Sequence, residues 1–387
     1  MSSNDLNVSS KANDRVFYCK NCGGVMEFDI DTQKMKCPNC GTVEEIVSAG
    51  RVVHEYDFNR ANIEQANVDW NGFAHVVKCE SCGAEITVPK EVTSITCGYC
   101  GSSHVLESKQ LAGVKPEGII PFAIDKNKAN EIFINWIKRR YLAPNKLRLM
   151  YQQDKLQAIY TPYWTYDSNT FNNFTAQGGE VYYVTVGSGK EQHRERRVRW
   201  YPVNGSFSLF FDDVLVFAGS SHGMLVSRIE SFDTKLLKPF ETMYLSGFQA
   251  EKYSVEPEAG FDVAKKKMYD SIVAEITRRV LTRYDEVSGI NVNTQYSDVK
   301  FKHVLFPVWI SGYDYAGKVY TYVINGQNGQ ITGKYPYSKV KITLLVILAI
   351  IIIIIALYLY NQYQNSDYYS SFNLLIIIKG GLLYGSF

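Results

Sequence analysis

The most extreme hydropathy pattern in the chain lies at 342–360, ITLLVILAIIIIIIALYLY, a run without a single charge that follows Lys341. At about 1.5 Å per residue, roughly 19 helical residues reach about 28 Å, close to the ~30 Å of a bilayer's hydrocarbon, so the run predicts a transmembrane helix. A helix apolar on every side would need cover all round, and little chain follows to supply it. Tyr358, Tyr360 and Tyr363 suit one membrane interface and Lys334, Lys339 and Lys341 the other. The positive-inside rule then puts the large N-terminal portion in the cytoplasm and predicts a single-pass protein of the cell (inner) membrane. Beyond the span, NQYQNSDYYSS predicts a polar loop. The closing FNLLIIIKGGLLYGSF, broken by Lys379 and Gly380-Gly381, predicts an interfacial or re-entrant segment, with a second crossing over 372–387 as the alternative.

Ahead of the span the periods are shorter and alternate between two kinds. GIIPFAI (118–124) is strand-like and leads into a predicted helix over 126–141, with Ala129, Ile132, Phe133, Trp136 and Ile137 on one face and Pro144 limiting it. GFQAEKYSV (247–255) leads in the same way into a predicted helix over 259–284, with Val263, Met268, Ile272, Ile276 and Val280 at helical spacing. An aromatic strand with Pro-x-Trp follows each helix: Pro162-Tyr163-Trp164 in AIYTPYWTYD, and Pro307-Val308-Trp309 in HVLFPVWISGYDY. Hairpin-like strands come next, VYYVTVG in the first case and KVYTYVINGQNGQITG in the second, the latter with Asn325-Gly326 and Asn328-Gly329 as turn formers. The parallel order predicts an internal duplication of an α+β unit, with the tryptophans as core anchors. Between the units, Arg194, Arg196, Arg197 and Arg199 precede Trp200, and 207–217 alternates into a strand containing Asp212 and Asp213. Adjacent carboxylates on a strand point to opposite faces, so this pair is expected at a solvated edge.

The N-terminal hundred residues carry a different signal. All eight cysteines lie there, as Cys19-x2-Cys22, Cys37-x2-Cys40, Cys79-x2-Cys82 and Cys97-x2-Cys100, and the second set repeats the first at an offset of 60. Each pair ends in Cys-Gly, at Gly23, Gly41, Gly83 and Gly101, and glycine allows the positive φ that turns amides toward thiolate sulfurs. Two such clamps on short hairpins supply four sulfurs to one tetrahedral ion, which leaves no position for water or substrate. The pattern predicts two β-rich zinc ribbons holding two structural Zn2+ ions. Iron in a rubredoxin-like site uses similar paired spacing and stays open as the alternative ion. Disulfides are disfavoured, because the polar opening of the chain predicts a cytosolic N-terminus.

Charge narrows what such ribbons could bind. The whole chain carries a formal net charge of +2, and over 17–107 seven Lys and Arg stand against thirteen Asp and Glu, for a local −6. Phosphate binding needs clustered cations, so a nucleic-acid partner is disfavoured and a protein partner or a purely structural role is expected. With 28 Tyr, 20 Phe and 5 Trp, much β-structure is expected.

Enzyme chemistry leaves no local trace. GSGK at 187–190 lacks the upstream glycine and the following Ser or Thr of a phosphate loop and predicts a hairpin turn. Gly333-Lys334 fails likewise at Tyr335, and the histidines at 54, 75, 104, 193, 222 and 303 are scattered. No catalytic residue is assigned and the chain is expected not to be an enzyme. That expectation would reverse if folding gathered Asp212 or Asp213 with a histidine in a deep pocket.

Taken together, CKNCGG, CPNCG, EYDF (55–58), CESCGAEI, CGYCGS, KPEGIIPF (115–122), NWIKRRYLAPN (135–145), YTPYWTYD, RWYPVNG (199–205), FFDDVLV (210–216), FKHVLFPVWI and VINGQNGQITG resemble a bacterial family. It comprises membrane-associated double zinc-ribbon proteins of the TFIIB-type zinc ribbon-containing kind, often described as primosomal helicase-like. The missing phosphate loop leaves the helicase description without support here. The resemblance implies a non-enzymatic membrane adaptor with SPFH-type or phage-shock-type protein neighbours, and a membrane-tethered nucleic-acid binder as the rival. The expected fold is α+β: a flexible N-terminus (1–16), zinc ribbon 1 (17–48), a connector (49–76), zinc ribbon 2 (77–107), a linker (108–117), an α+β domain (118–338), the transmembrane helix (342–360), and a polar loop with an apolar C-terminal segment (361–387).

Overall fold

The computed structural model describes residues 17–48, 50–60, 62–63, 67–69, 74–79, 83–89, 94–97, 103–105, 109–110, 112–148, 156–220, 223–316 and 318–380. Contacts divide the chain into two compact units, Met1–Asn135 with Gln152–Lys334, and Trp136–Tyr151 with Tyr335–Phe387. The fold is α+β, with one long apolar helix near the C-terminus.

In chain order the elements that matter here are β1 (Glu27–Asp29), β2 (Lys34–Lys36), β3 (Val43–Glu44), β4 (Tyr56–Asp57), β5 (Ala74–Lys78), β6 (Glu85–Pro89) and β7 (Gly118–Ile119). Then come α1 (Lys126–Lys138), β8 (Gln157–Val186), β9 (His193–Phe217), β10 (Gln249–Glu251), α2 (Pro257–Leu281), β11 (Glu286–Tyr315), β12 (Lys318–Asn325), β13 (Ile331–Gly333) and α3 (Lys339–Gly380).

Two strands of 30 residues each, β8 and β11, form the axis of the first unit and pair antiparallel from Gln157↔Ile310 to Gly179↔Glu286. Along β8 the burial changes character. Residues 159–168 are buried on both faces, and from Asn169 onward exposed and buried residues alternate, as a strand covered on one face should. Among the described residues the second stretch is covered by α2, whose Ile272, Ile276 and Val280 pack on Phe174, Ala176 and Phe207. Each fully buried aliphatic side chain of this kind stabilises by roughly 1.5–3 kcal/mol. The stripe runs through Phe261, Ala264 and Met268. Val263, expected on that face, is 39% exposed, because the buried line passes one residue later through Ala264. At its start α2 comes so close to β8 that a Cβ on Gly260 would clash with Tyr166 Oη, whose hydroxyl donates to Pro257 O at 2.6 Å.

The two Pro-x-Trp segments occupy corresponding places. The short lead strand β7, ahead of α1, lies parallel to β11, and β10, ahead of α2, lies parallel to β8, so each lead strand pairs with the other half's long strand. The indoles cross in the same way. Trp164 Nε1 donates to Val255 O, just before α2, and Trp309 Nε1 donates to Ile124 O, just before α1, both at 2.7 Å. Both tryptophans are buried and their only polar atom is satisfied, which suits anchoring the core. The helix α1 starts where Asp125 Oδ1 accepts from the amides of Asn127 and Lys128, a side-chain cap on otherwise orphaned donors.

The cysteine-bearing segments are built into this framework. The β5–β6 hairpin joins the main sheet where β6 pairs antiparallel with β10, giving the path β5-β6-β10-β8-β11-β7. The stretch expected as a linker, 108–117, is instead paired: Lys109–Gln110 with β5, and Ala112–Val114 with Asn67–Asp69. The expected connector contributes β4, which pairs with Lys300 and Phe301 of β11. Backbone groups in both stretches find strands contributed from elsewhere in the chain, and local composition does not report that. The expected hairpin turn at 187–190 joins β8 to β9 through a short 3-10 turn at Gly189–Glu191.

In the second unit, α3 runs unbroken through the stretch expected as a polar loop. NQYQNSDYYSS contains neither Pro nor Gly, so nothing in it interrupts the backbone hydrogen-bond ladder. Lys339–Gln362 is long and apolar enough to cross a membrane, and none of its most apolar window is buried. Residues 1–16 and 381–387 lie outside the described residues.

Candidate metal centre

Three of the four Cys-x-x-Cys-Gly turns have both their first cysteine and their glycine among the described residues, and these three share one backbone pattern. Cys19 N–H donates to Gly24 O and Gly23 N–H to Cys19 O; Cys37 N–H donates to Thr42 O and Gly41 N–H to Cys37 O; Cys79 N–H donates to Ala84 O and Gly83 N–H to Cys79 O, all at 2.7–2.9 Å. Gly23, Gly41 and Gly83 hold φ of +72°, +76° and +77°. Nothing lies within 4 Å of a Cβ at any of the three, so glycine is required there for its backbone freedom and not for space.

The first two turns bring Cys19, Cys22, Cys37 and Cys40 together, with all four sulfurs within 4.8 Å of one another. Cys19 Sγ lies 3.5 Å from Cys40 Sγ, and Cys22 Sγ 3.5 Å from Cys37 Sγ. A tetrahedron with metal–sulfur bonds of about 2.3 Å has edges of roughly 3.8 Å, so the donor set fits a four-sulfur ion. Cys19 and Cys37 are buried and Cys22 and Cys40 exposed, which sets the cluster at the surface with one inner edge.

Local dipoles prepare the thiols unequally. The backbone amides of Cys22 and Asn21 hold the Cys19 thiol below its usual range. The Thr42 hydroxyl, 3.2 Å from Cys40 Sγ, and the Thr42 amide draw Cys40 down to about 6. At Cys22 the Gly24 amide pulls downward, but the neighbouring sulfurs of Cys40 and Cys37 outweigh it and push the thiol up to about 12. Four sulfurs this close cannot all become thiolates unless a cation stands among them.

Within the first unit, the module is seated on the segment between β9 and β10. Ser246 Oγ donates to Met26 O at 2.7 Å, Phe28 N–H donates to Ser246 O at 3.1 Å, and the Phe28 ring meets Tyr244 and Phe248. Of the second set, Cys79 and Cys97 are buried in one cluster with Ala84, Ile86, Leu225 and Val226. Cys82 and Cys100 lie outside the described residues.

A second cluster of charged groups was not legible as one. Lys302 Nζ lies 2.6 Å from both Glu55 Oε1 and Asp213 Oδ1, and Asp213 N–H donates to Asp167 Oδ1 at 2.8 Å. Asp213, with a φ of +50°, sits where the β8–β9 register shifts between Tyr166 and Ser168, and it meets Lys302 where the sequence implied a solvated edge for both members of the Asp212-Asp213 pair. Asp212 stays exposed. Burial pushes the Asp167 carboxyl up to about 6, with the Glu55 carboxylate adding to the shift. Burial alone would raise Glu55 as well, yet the Lys302 ammonium outweighs it and holds Glu55 below the usual carboxylate range.

The histidine nearest in sequence, His303, faces the opposite side of β11 and packs against Trp164 and Tyr253, with Nδ1 2.7 Å from Val114 O. Burial lowers it to about 4, so it is neutral at physiological pH and Nδ1–H donates to that carbonyl.

No family model matches the chain, and no solved structure matches it. It is similar to the uncharacterized protein YdjG of Bacillus subtilis (strain 168), at 28% identity over 329 residues that span 84% of this chain and 91% of that protein.

Proposed function

We propose that the chain is a non-catalytic scaffold, anchored in the cell membrane by α3 with its first unit on the cytoplasmic side. In this reading two structural zinc ions are held by Cys19, Cys22, Cys37 and Cys40 and by Cys79, Cys82, Cys97 and Cys100, and the anchored surface recruits a protein partner. The observation that carries it is the four-sulfur cluster, whose donors fill every position of a tetrahedral ion and leave none for a substrate. A bound zinc supplies cross-linking and charge neutralisation here, and the chain's own residues do the rest. The knuckle amides orient the sulfurs, and Ser246 and Phe28 transmit the module's rigidity into the segment ahead of β10.

Tethering supports modest-affinity recruitment, because anchoring in a membrane raises the effective concentration of both partners. The partner class implied by resemblance is an SPFH-type or phage-shock-type protein, and the local charge of −6 over 17–107 favours a protein over a nucleic acid. Co-purification of the full chain from detergent-solubilised membranes should recover one such partner at near-stoichiometric levels. Recovery of the chain alone, together with a steeply salt-dependent gel shift on DNA, would replace this reading with a membrane-tethered nucleic-acid binder.

A further inference from the structure

The turn after α1 is bonded to the first turn of α3. Lys341, the last residue before the apolar run, donates all three ammonium protons to that turn: to Tyr141 O at 3.0 Å, Ala143 O at 2.7 Å and Asn145 Oδ1 at 2.8 Å. Ser338 N–H adds a bond to Leu142 O at 2.7 Å. If α3 crosses a bilayer, the hydrocarbon boundary falls within about one residue, roughly 1.5 Å, of Lys341. The 141–145 turn is then held at the depth of the lipid headgroups.

The sequence around the turn is one-sided in charge. Residues 136–151 contain Lys138, Arg139, Arg140, Lys146 and Arg148 and no carboxylate, and 335–362 adds Lys339 and Lys341, again without a carboxylate. The rest of the chain carries the opposite balance, with 34 Lys and Arg against 39 Asp and Glu. Arg140 is engaged, its guanidinium lying over the rings of Trp136 and Tyr335 at 4.9 and 5.5 Å. Arg139 and Lys339 are exposed to solvent. Tyr141 is 84% and Tyr337 58% exposed, and rings with a polar tip are the side chains that settle at a membrane interface.

The geometry points to the 136–148 segment, with the root of α3, as a docking surface for the phosphate headgroups of anionic lipids. This rests on the reading of α3 as a membrane anchor. An acidic protein would find the same charges, but a surface pinned beside the first apolar residue and rimmed by exposed tyrosines is complementary to a bilayer. Arginine adds paired donors that match phosphate oxygens. Each cation near an anionic leaflet strengthens the attraction about fivefold, so several acting together hold the turn against the surface.

The test uses the full chain reconstituted into phosphatidylcholine vesicles and into vesicles with 30% phosphatidylglycerol. Amide exchange of the peptide covering 136–148 should slow by about tenfold or more in the anionic vesicles, and 0.5 M salt should reverse most of that slowing. Arg139→Gln/Lys339→Gln should weaken the lipid dependence several-fold while leaving exchange in phosphatidylcholine unchanged. Equal exchange in the two vesicle types, with the chain resisting alkaline carbonate extraction from both, overturns the docking surface and leaves the anchor standing. Extraction by carbonate from both vesicle types overturns the anchor itself.

Discussion

The four sulfurs near the N-terminus and the three carboxylates around Lys302 are both tight clusters of ionisable side chains, and they solve the same electrostatic problem in opposite ways. Cys19, Cys22, Cys37 and Cys40 lie within 22 residues of one another with no cation among them, so ionising all four thiols needs a counter-charge from outside the cluster. Glu55, Asp167 and Asp213 come from three distant places, and Lys302, 247 residues from Glu55, brings the cation with it. A local cluster that lacks a counter-charge points to a ligand. A distant cluster that includes one points to architecture, here the fastening of β4 and its neighbours onto β11.

The sharpest way to break the comparison is to remove the balancing cation from each side. Stripping metal with a chelator, or replacing Cys37 with Ser, should unfold 17–48, since structural zinc in small modules supplies about 10 kcal/mol or more of apparent folding free energy. Amide exchange should report the loss there and in 244–248. Elemental analysis should find about two zinc ions per chain before treatment, and finding none would remove the metal from the account. On the other side, Lys302→Met leaves three carboxylates without their cation and should cost about 3–5 kcal/mol in a denaturant titration. A cost below ~1 kcal/mol would mean that the carboxylates are already protonated or solvated.

A smaller effect concerns pH. Because burial raises the Asp167 carboxyl to about 6 from its ordinary 3.8, the folded state holds this proton more tightly than the unfolded chain does. Its contribution is therefore fully present below about 4 and is lost as pH rises through about 6, an effect on the order of 2 kcal/mol. Glu55, held low by Lys302, acts with the opposite sign and loses its contribution as pH falls. Unfolding midpoints of Asp167→Asn measured between pH 4 and 7 should be flatter than the parent's between about pH 4 and 6, and the two curves should run parallel above that. Identical curves would place Asp167 outside the titrating set.

The smallest expected change is Gly41→Ala. With open space around the Cβ position and a φ of +76°, the substitution should cost about 1–2 kcal/mol through backbone strain alone. Gly41→Asn should cost less, because Asn tolerates that conformation better. Equal losses for Ala and Asn would point to a steric role that the open space does not support.

Much of the local chemistry could be read directly from the residues. The Cys-x-x-Cys-Gly spacing encodes its own turn, since each knuckle closes within six residues and the glycine supplies the one unusual φ. The helices α1 and α2 followed from apolar spacing, although Val263 shows that periodicity locates a face only to within a residue. The polar stretch after the apolar run was harder to read, because polarity alone does not end a helix when Pro and Gly are absent. The ion cluster gave one faint signal, the adjacent Asp212-Asp213. The bulge that turns Asp213 inward depends on register with a partner strand and has no signature of its own in the sequence.

The sequence by itself determined what forms within one or two turns of chain: the cysteine clamps, the amphipathic helices, the paired aromatic strands and the uncharged apolar run. The tertiary structure alone decided which segments pair. It exchanged the lead strands between the two halves, drew the supposed linkers into sheets, gathered Glu55, Asp167, Asp213 and Lys302, and tied Lys341 to the turn at 141–145. The physical reason is one of range. Backbone conformation and ligand spacing are fixed by neighbouring residues, whereas strand register and buried charge are settled by groups that meet only after the chain has closed loops of tens to hundreds of residues.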